Sequence, residues 1–249
     1  MSALRHRIGR TAHQFLSLVG QRNYKPFFVL SRSRSGSNLL VDFLNSHHGI
    51  YCESERFAKL GDTPAQARLD EVYGREPFYI RAKGFKIFYY HPLDRKDTSL
   101  WQLLINNHAI AVIHLKRRNL LRSLVSRQIA ERQQIWATST GGEPILAVDK
   151  RVTLDVRKTI QDLSRTRHWE KLAERQFRQH EILTLYYEDL VKHTDNSWRQ
   201  VTRFLGVPYK HPQTTLRKQN PESLRELIRN YDEIQLAFRG TEWEAMLEE

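Results

Sequence analysis

The run Ala109-Ile110-Ala111-Val112-Ile113-His114-Leu115 is nearly continuous in apolar, mostly β-prone residues. A strand with one wet face alternates apolar and polar side chains. A continuous run needs cover on both faces, as in a parallel sheet layered by helices. A second such run, Phe27-Phe28-Val29-Leu30, leads into Leu39, Leu40, Phe43 and Leu44 at helical spacing. Further strands are expected over Gly49–Cys52, Phe85–Tyr90 and Glu181–Tyr187, with helices over Leu100–Asn106, Leu120–Gln133, Leu154–Gln179 and Trp198–Leu205. Gly206 and Pro208 close the last of these. Residues 61–82 are polar and expected to be helical in part, Thr138–Pro144 reads as a flexible loop, and a short helix is expected near Glu222–Arg229. Strands alternating with helices predict an α/β fold of three layers with a mostly parallel sheet. The 249 residues suit a single domain over 25–249, preceded by a basic helical extension over 1–24.

Ligands in such sheets bind beyond the carboxyl ends of the strands. The first strand ends in Ser31-Arg32-Ser33-Arg34-Ser35-Gly36-Ser37-Asn38. Free backbone N–H groups and the dipole at the start of the following helix make an anion site there. Arg32 and Arg34 add fixed charge, and the serines add hydroxyl donors. A plain βα turn capped by Ser37 or Asn38 is the blander alternative. The triphosphate-binding pattern G-x-x-x-x-G-K-[ST] is missing its lysine, and no G-x-G-x-x-G occurs, which disfavours ATP, GTP and dinucleotides.

The long apolar run ends the same way, in Lys116-Arg117-Arg118, with Asn119 placed to cap the next helix and Ser123 and Ser126 upon it. Arg117 follows the buried strand directly. Arg118, Arg122, Arg127 and Arg132 read as a solvated face. Basic turns at two strand ends suggest a ligand with two anionic groups, and Arg217 and Lys218 in the tail add to them. Tyr186-Tyr187-Glu188-Asp189 ends a strand, where either acid could cap the helix that follows.

The segment Ser33-Arg34-Ser35-Gly36-Ser37-Asn38-Leu39-Leu40 resembles the 5′-phosphosulfate loop of sulfotransferases that use 3′-phosphoadenosine 5′-phosphosulfate, and most closely that of bacterial carbohydrate sulfotransferases of the trehalose and nodulation-factor types. Ile113 to Asn119, with Ser126, is similar to their 3′-phosphate motif. Lys218-Gln219-Asn220-Pro221 and Asn230-Tyr231-Asp232-Glu233 resemble the C-terminal segment of that group. The resemblance runs from about residue 26 onward. It implies a P-loop-like core and transfer of a sulfuryl group to a hydroxyl of a carbohydrate or other small acceptor. Ser33, Arg34, Ser35, Gly36, Ser37, Asn38, Arg117, Ser126, Arg217 and Lys218 would then hold the donor, with Arg34 also catalytic. Lys116 and Arg118 leave the register of the 3′-phosphate arginine open by one residue. The resemblance puts a catalytic base at Glu53, with Glu55 next. Lys86, in Gly84-Phe85-Lys86-Ile87, resembles a residue lining the acceptor pocket, the alternative being a lysine pointing out of an edge strand. His91, after the tyrosine pair, is placed at the acceptor as a helper in proton transfer, the alternative being a structural histidine.

The remaining features bound the alternatives. The net charge of +12 attracts polyanions, and a nucleic-acid binder is the competing class, together with another P-loop-like nucleotide protein. No nucleic-acid recognition signature accompanies the charge, and its basic residues sit in turns, so no nucleic-acid partner is expected. His47 and His48, adjacent and expected to point apart on a helix, do not make a metal site, and no metal is expected. Cys52 is the single cysteine, which excludes an intrachain disulfide and fits a cytoplasmic, reducing compartment. The run Met1–Arg22 is basic with scattered apolar residues. It could lie weakly on a membrane surface or pack as a surface helix.

Overall fold

The computed structural model describes residues 20–96, 98–134 and 149–248. Among them, one parallel sheet contains β1 (Lys25–Ser31), β2 (Ile50–Glu53), β3 (Ala82–Phe88), β4 (Ala111–Lys116) and β5 (Ile182–Tyr186), in the order β2-β3-β1-β4-β5. Helices α1 (Ser37–Ser46), α2 (Ala65–Val72), α3 (Ser99–Asn106), α4 (Leu120–Gln133) and α5 (Val156–Gln176) link the strands, and α6 (Tyr187–Lys192) and α7 (Thr194–Leu205) follow β5. The short α8 (Leu224–Leu227) and α9 (Tyr231–Phe238) follow. The expected α/β fold of three layers is the one observed.

The two-faced burial has a simple residue-level cause. Successive side chains of a strand point to opposite faces. Phe27 and Val29 pack with Leu40, Leu44, Ile113 and Trp198, on the face covered by α1 and α7. Phe28 pairs instead with Phe85, Leu104, Val112 and Phe177, on the face covered by α2, α3 and the end of α5. Phe27 and Phe28 are both fully buried. Truncating either to alanine is expected to cost roughly 3–5 kcal/mol. A third apolar cluster lies off the sheet, where Leu121, Val125 and Leu163 meet Leu227, Phe238 and Trp243. It ties the C-terminal segment to α4 and α5.

Several boundaries differ from the sequence reading. β3 starts at Ala82 and ends at Phe88 because the chain turns at Tyr89–Tyr90. α5 begins at Val156, where the Asp155 carboxylate accepts the Lys158 N–H at 2.8 Å. α7 starts four residues before Trp198, and Gly206 ends it with φ +69°. Residues 1–19 and the expected loop 138–144 lie outside the described residues. Residues 20–24 are not helical, and Gln21 and Glu76 form an isolated antiparallel bridge, exchanging backbone bonds of 2.8 Å. His47 and His48 lie past the end of α1, with rings stacked 4.9 Å apart rather than pointing away from each other.

Candidate functional site

A cleft of about 830 Å³ opens at the carboxyl ends of the strands. The β1–α1 turn forms its floor. Neither Ser37 nor Asn38 caps α1, because Gly36 occupies the N-cap position and no side chain bonds there. Gly36 holds φ +83°, and a Cβ on it would fall 2.2 Å from Tyr187 Cδ2. Only glycine satisfies both conditions. Arg34 also has positive φ, +67°, which is uncommon for a side chain other than glycine, asparagine or aspartate. Its carbonyl is held from the β4–α4 turn and from α4, accepting from Arg117 Nη1 at 2.8 Å and Ser123 Oγ at 3.1 Å.

The Arg34 guanidinium donates from Nε to Ser126 Oγ at 3.0 Å and from Nη2 to Gln219 Oε1. Burial is what lowers its pKa from the ordinary guanidinium range. Arg117 is 9% exposed and stacks over the Tyr187 ring, 4.5 Å from its centroid. Burial lowers its pKa too. Arg117 Nε has no hydrogen-bond partner, and Glu188 Oε1 lies 3.9 Å away.

The three basic residues after β4 diverge. Lys116 turns to Glu174 at 2.7 Å and Arg118 to Asp189 at 2.7 Å, so Arg117 is the one that lines the cleft. Glu188 does more than sit in the first turn of α6. Its carboxylate accepts the backbone N–H groups of Arg118 at 3.0 Å and Asn119 at 3.3 Å, fixing the β4–α4 turn. Asn119 caps α4 as expected, accepting from Arg122 N at 2.8 Å.

Two of the arginines read as solvated are not. Arg122 is buried and donates to the Asn220 carbonyl at 3.2 Å. Arg127 is partly buried and pairs with Asp162 at 2.6 Å, a carboxylate shared with Arg32. Arg32 lies 5.3 Å from the Trp169 ring centroid, and Trp169 lies 5.7 Å from the Tyr90 ring. Arg118 and Arg132 are exposed, as read. Asn220 donates to Ser126 Oγ at 3.2 Å, drawing the tail across the cleft. Arg217 and Lys218 lie on the same tail and line the cleft with exposed side chains.

A second cluster sits at the end of β3. Lys86 is 1% exposed, and its ammonium donates to Asn38 Oδ1 at 2.6 Å and meets Glu55 Oε1 at 2.9 Å. It is an inward lysine of an interior strand. His91 Nε2 lies 3.8 Å from Glu55 Oε2. The His91 Nδ1 accepts the Phe88 N–H at 3.3 Å, which puts the ring proton on Nε2. Burial drives its pKa down to about 4, against a raising influence from Glu55, so the ring is a neutral donor near pH 7.

Glu53 lies elsewhere. It pairs in register with Phe85, whose ring belongs to the core on the α2 and α3 face. Lys86, one residue on, points to the α1 side. Glu53 meets Arg56 at 3.1 Å, and burial raises its pKa while Lys83 and Arg56 oppose that rise. Glu55 lines the cleft and Glu53 does not. Ser33, Arg34, Gly36, Ser37, Asn38, His91, Arg117, Ser126, Arg217 and Lys218 also line it, whereas Ser35 is buried behind the turn.

Sequence reasoning missed Tyr187, Trp169, Tyr90 and Arg122 as cleft residues. Tyr187 had an available signal, since it directly follows a strand. Trp169 had none, because it lies mid-helix in a stripe that also builds the core. Among the described residues, no group of His, Cys, Asp and Glu comes together as a metal site would require. No described helix is long and apolar enough to cross a membrane. No family model matches the chain, and no curated protein matches its sequence.

Proposed function

We propose that the protein is a sulfotransferase that takes a sulfuryl group from 3′-phosphoadenosine 5′-phosphosulfate to a hydroxyl of a carbohydrate or another small acceptor. One observation carries the reading. Arg34 and Arg117, from turns after neighbouring parallel strands, are brought into one cleft, against the N-terminus of α1. Two cationic subsites side by side suit a nucleotide with two separated phosphates. The inward turn of these arginines favours a small ligand with two anionic groups over an extended polyanion.

In this reading the α1 N-terminus and Arg34 hold the 5′ group. Arg34 also neutralises charge developing on the leaving oxygen, an electrostatic role for which a planar, permanently charged guanidinium suits. Arg117 and Ser126 hold the 3′-phosphate, with Arg217 and Lys218 at the mouth. Glu55 serves as the base that takes the acceptor proton, replacing Glu53, which is on the wrong side of the sheet. Lys86 fixes the Glu55 carboxylate and Asn38. His91, with its proton on Nε2 and its other nitrogen bonded to the Phe88 N–H, is placed as a donor rather than as the base.

Incubating the protein with the phosphosulfate donor and a panel of sugars, phenols and other alcohols tests this. Adenosine 3′,5′-bisphosphate should form in step with a sulfated acceptor. Tight bisphosphate binding with no transfer to any hydroxyl would remove the catalytic half of the proposal.

A further inference from the structure

We propose that the turn Pro77–Ile80, with the arginines beside it, docks the protein on an anionic phospholipid surface. The Ile80 N–H bonds the Pro77 carbonyl at 2.9 Å and closes a four-residue turn. The central positions of such turns usually carry glycine, asparagine, aspartate or serine. Here they carry Phe78, 72% exposed, and Tyr79, 47% exposed. Two adjacent aromatic rings are thus held in water by an ordered turn.

The surroundings are basic. Arg75 and Arg81 flank the turn and are exposed. The paired backbone bonds between Gln21 and Glu76 set exposed Arg22 next to it. The side chains of Arg22 and Arg81 make no hydrogen bond or ion pair with another described residue, and that of Arg75 reaches only the Gly20 carbonyl, at 3.5 Å. Glu76, the acid within the turn's own approach, is buried and paired with Lys83, so it does not offset them. Amphipathic rings and arginines are the groups that settle at the headgroup level of a bilayer, the rings at the apolar boundary and the guanidinium groups against phosphate. A lone exposed turn offers no groove for a partner's helix or strand.

The turn lies at the end of the sheet where β1 and β3 begin, whereas the cleft lies where they end. Strands of this length separate the two by about 20 Å. A docked molecule therefore keeps its cleft open to solution, and the inference stands whatever the cleft binds.

Vesicle co-sedimentation of the full chain tests it, comparing pure phosphatidylcholine with vesicles carrying about one-third phosphatidylglycerol. The wild type should pellet with the anionic vesicles, less so in high salt, and not with the neutral ones. Phe78→Ser/Tyr79→Ser and Arg75→Gln/Arg81→Gln should each lower partitioning roughly tenfold or more. Each should melt like the wild type. Absence of wild-type binding, equal binding to neutral vesicles, or wild-type binding by either well-folded double variant would overturn the proposal. In the last case residues 1–19 or the overall positive charge would carry the contact. If the aromatic variant fails to fold, the arginine variant decides alone.

Discussion

Glu53 and Glu55 differ by two positions and by everything that matters for chemistry. Glu53 is the last residue of β2 and faces the α2 and α3 layer with Phe85. At Ser54 the chain bends, with Arg56 N–H on the Ser54 carbonyl at 2.8 Å, and Glu55 swings to Lys86 and the cleft. Glu55→Gln keeps the shape and should lose roughly 10²–10⁴-fold in single-turnover transfer, while Glu53→Gln stays within a few-fold of wild type. Equal losses would return Glu53 to consideration. His91 and His114 give a second residue-scale expectation. Burial drives each pKa down to about 4, below the unfolded value near 6.5. Between those values the unfolded chain binds more protons than the folded one, so stability is held above pH 6.5 and lost as pH falls toward 4. From pH 7 to 5 each should contribute about 2 kcal/mol of that loss. Denaturant titrations across this range, with His114→Gln flattening the slope, check the sign.

At the scale of elements, much of the fold was legible because the two central strands β1 and β4 are nearly continuous apolar runs, a pattern that two-sided burial demands. Phe27–Leu30 and Ala109–Leu115 announced a buried parallel sheet before any contact was visible. The β1–α1 turn was legible because its charge sits at a strand end. Three things were not. The pleat of the four-residue β2 has no sequence signal strong enough to orient Glu53. The burial of Arg122 and Arg127 comes from the third apolar cluster and from Asp162, both set by distant segments. Trp169 hides in a helix stripe shared with the core. The β1–α1 turn makes its own prediction. Gly36→Ala adds a Cβ into Tyr187 and forces alanine to positive φ, so it should cost about 1–3 kcal/mol in stability. It should also weaken adenosine 3′,5′-bisphosphate at least tenfold; unchanged binding and melting would refute the constraint. Asn220→Ala tests the tail, which crosses to Ser126 and Arg122. It keeps the backbone carbonyl that Arg122 bonds and removes the one side-chain bond to Ser126, so it should raise the bisphosphate Kd by roughly 3–10-fold with little change in melting.

For the whole molecule, the sheet sets two different surfaces at its two ends. The carboxyl ends of β1 and β4 bring Arg34 and Arg117 to one cleft, buried Lys86 of β3 holds its lining residues Asn38 and Glu55, and Arg217, Lys218 and Asn220 of the C-terminal segment line it as well. The amino ends carry the aromatic turn and its arginines. The central claim is that the cleft reads two phosphates at once, and calorimetric titration with adenosine 3′,5′-bisphosphate and with AMP tests it most directly. The bisphosphate should bind the wild type at least tenfold more tightly than AMP, the scale of one charge-assisted contact. Arg117→Ala, checked for an unchanged melt, should remove that preference while leaving AMP affinity nearly untouched. Equal affinity of the wild type for the two nucleotides, or a preference that survives Arg117→Ala, would contradict the account.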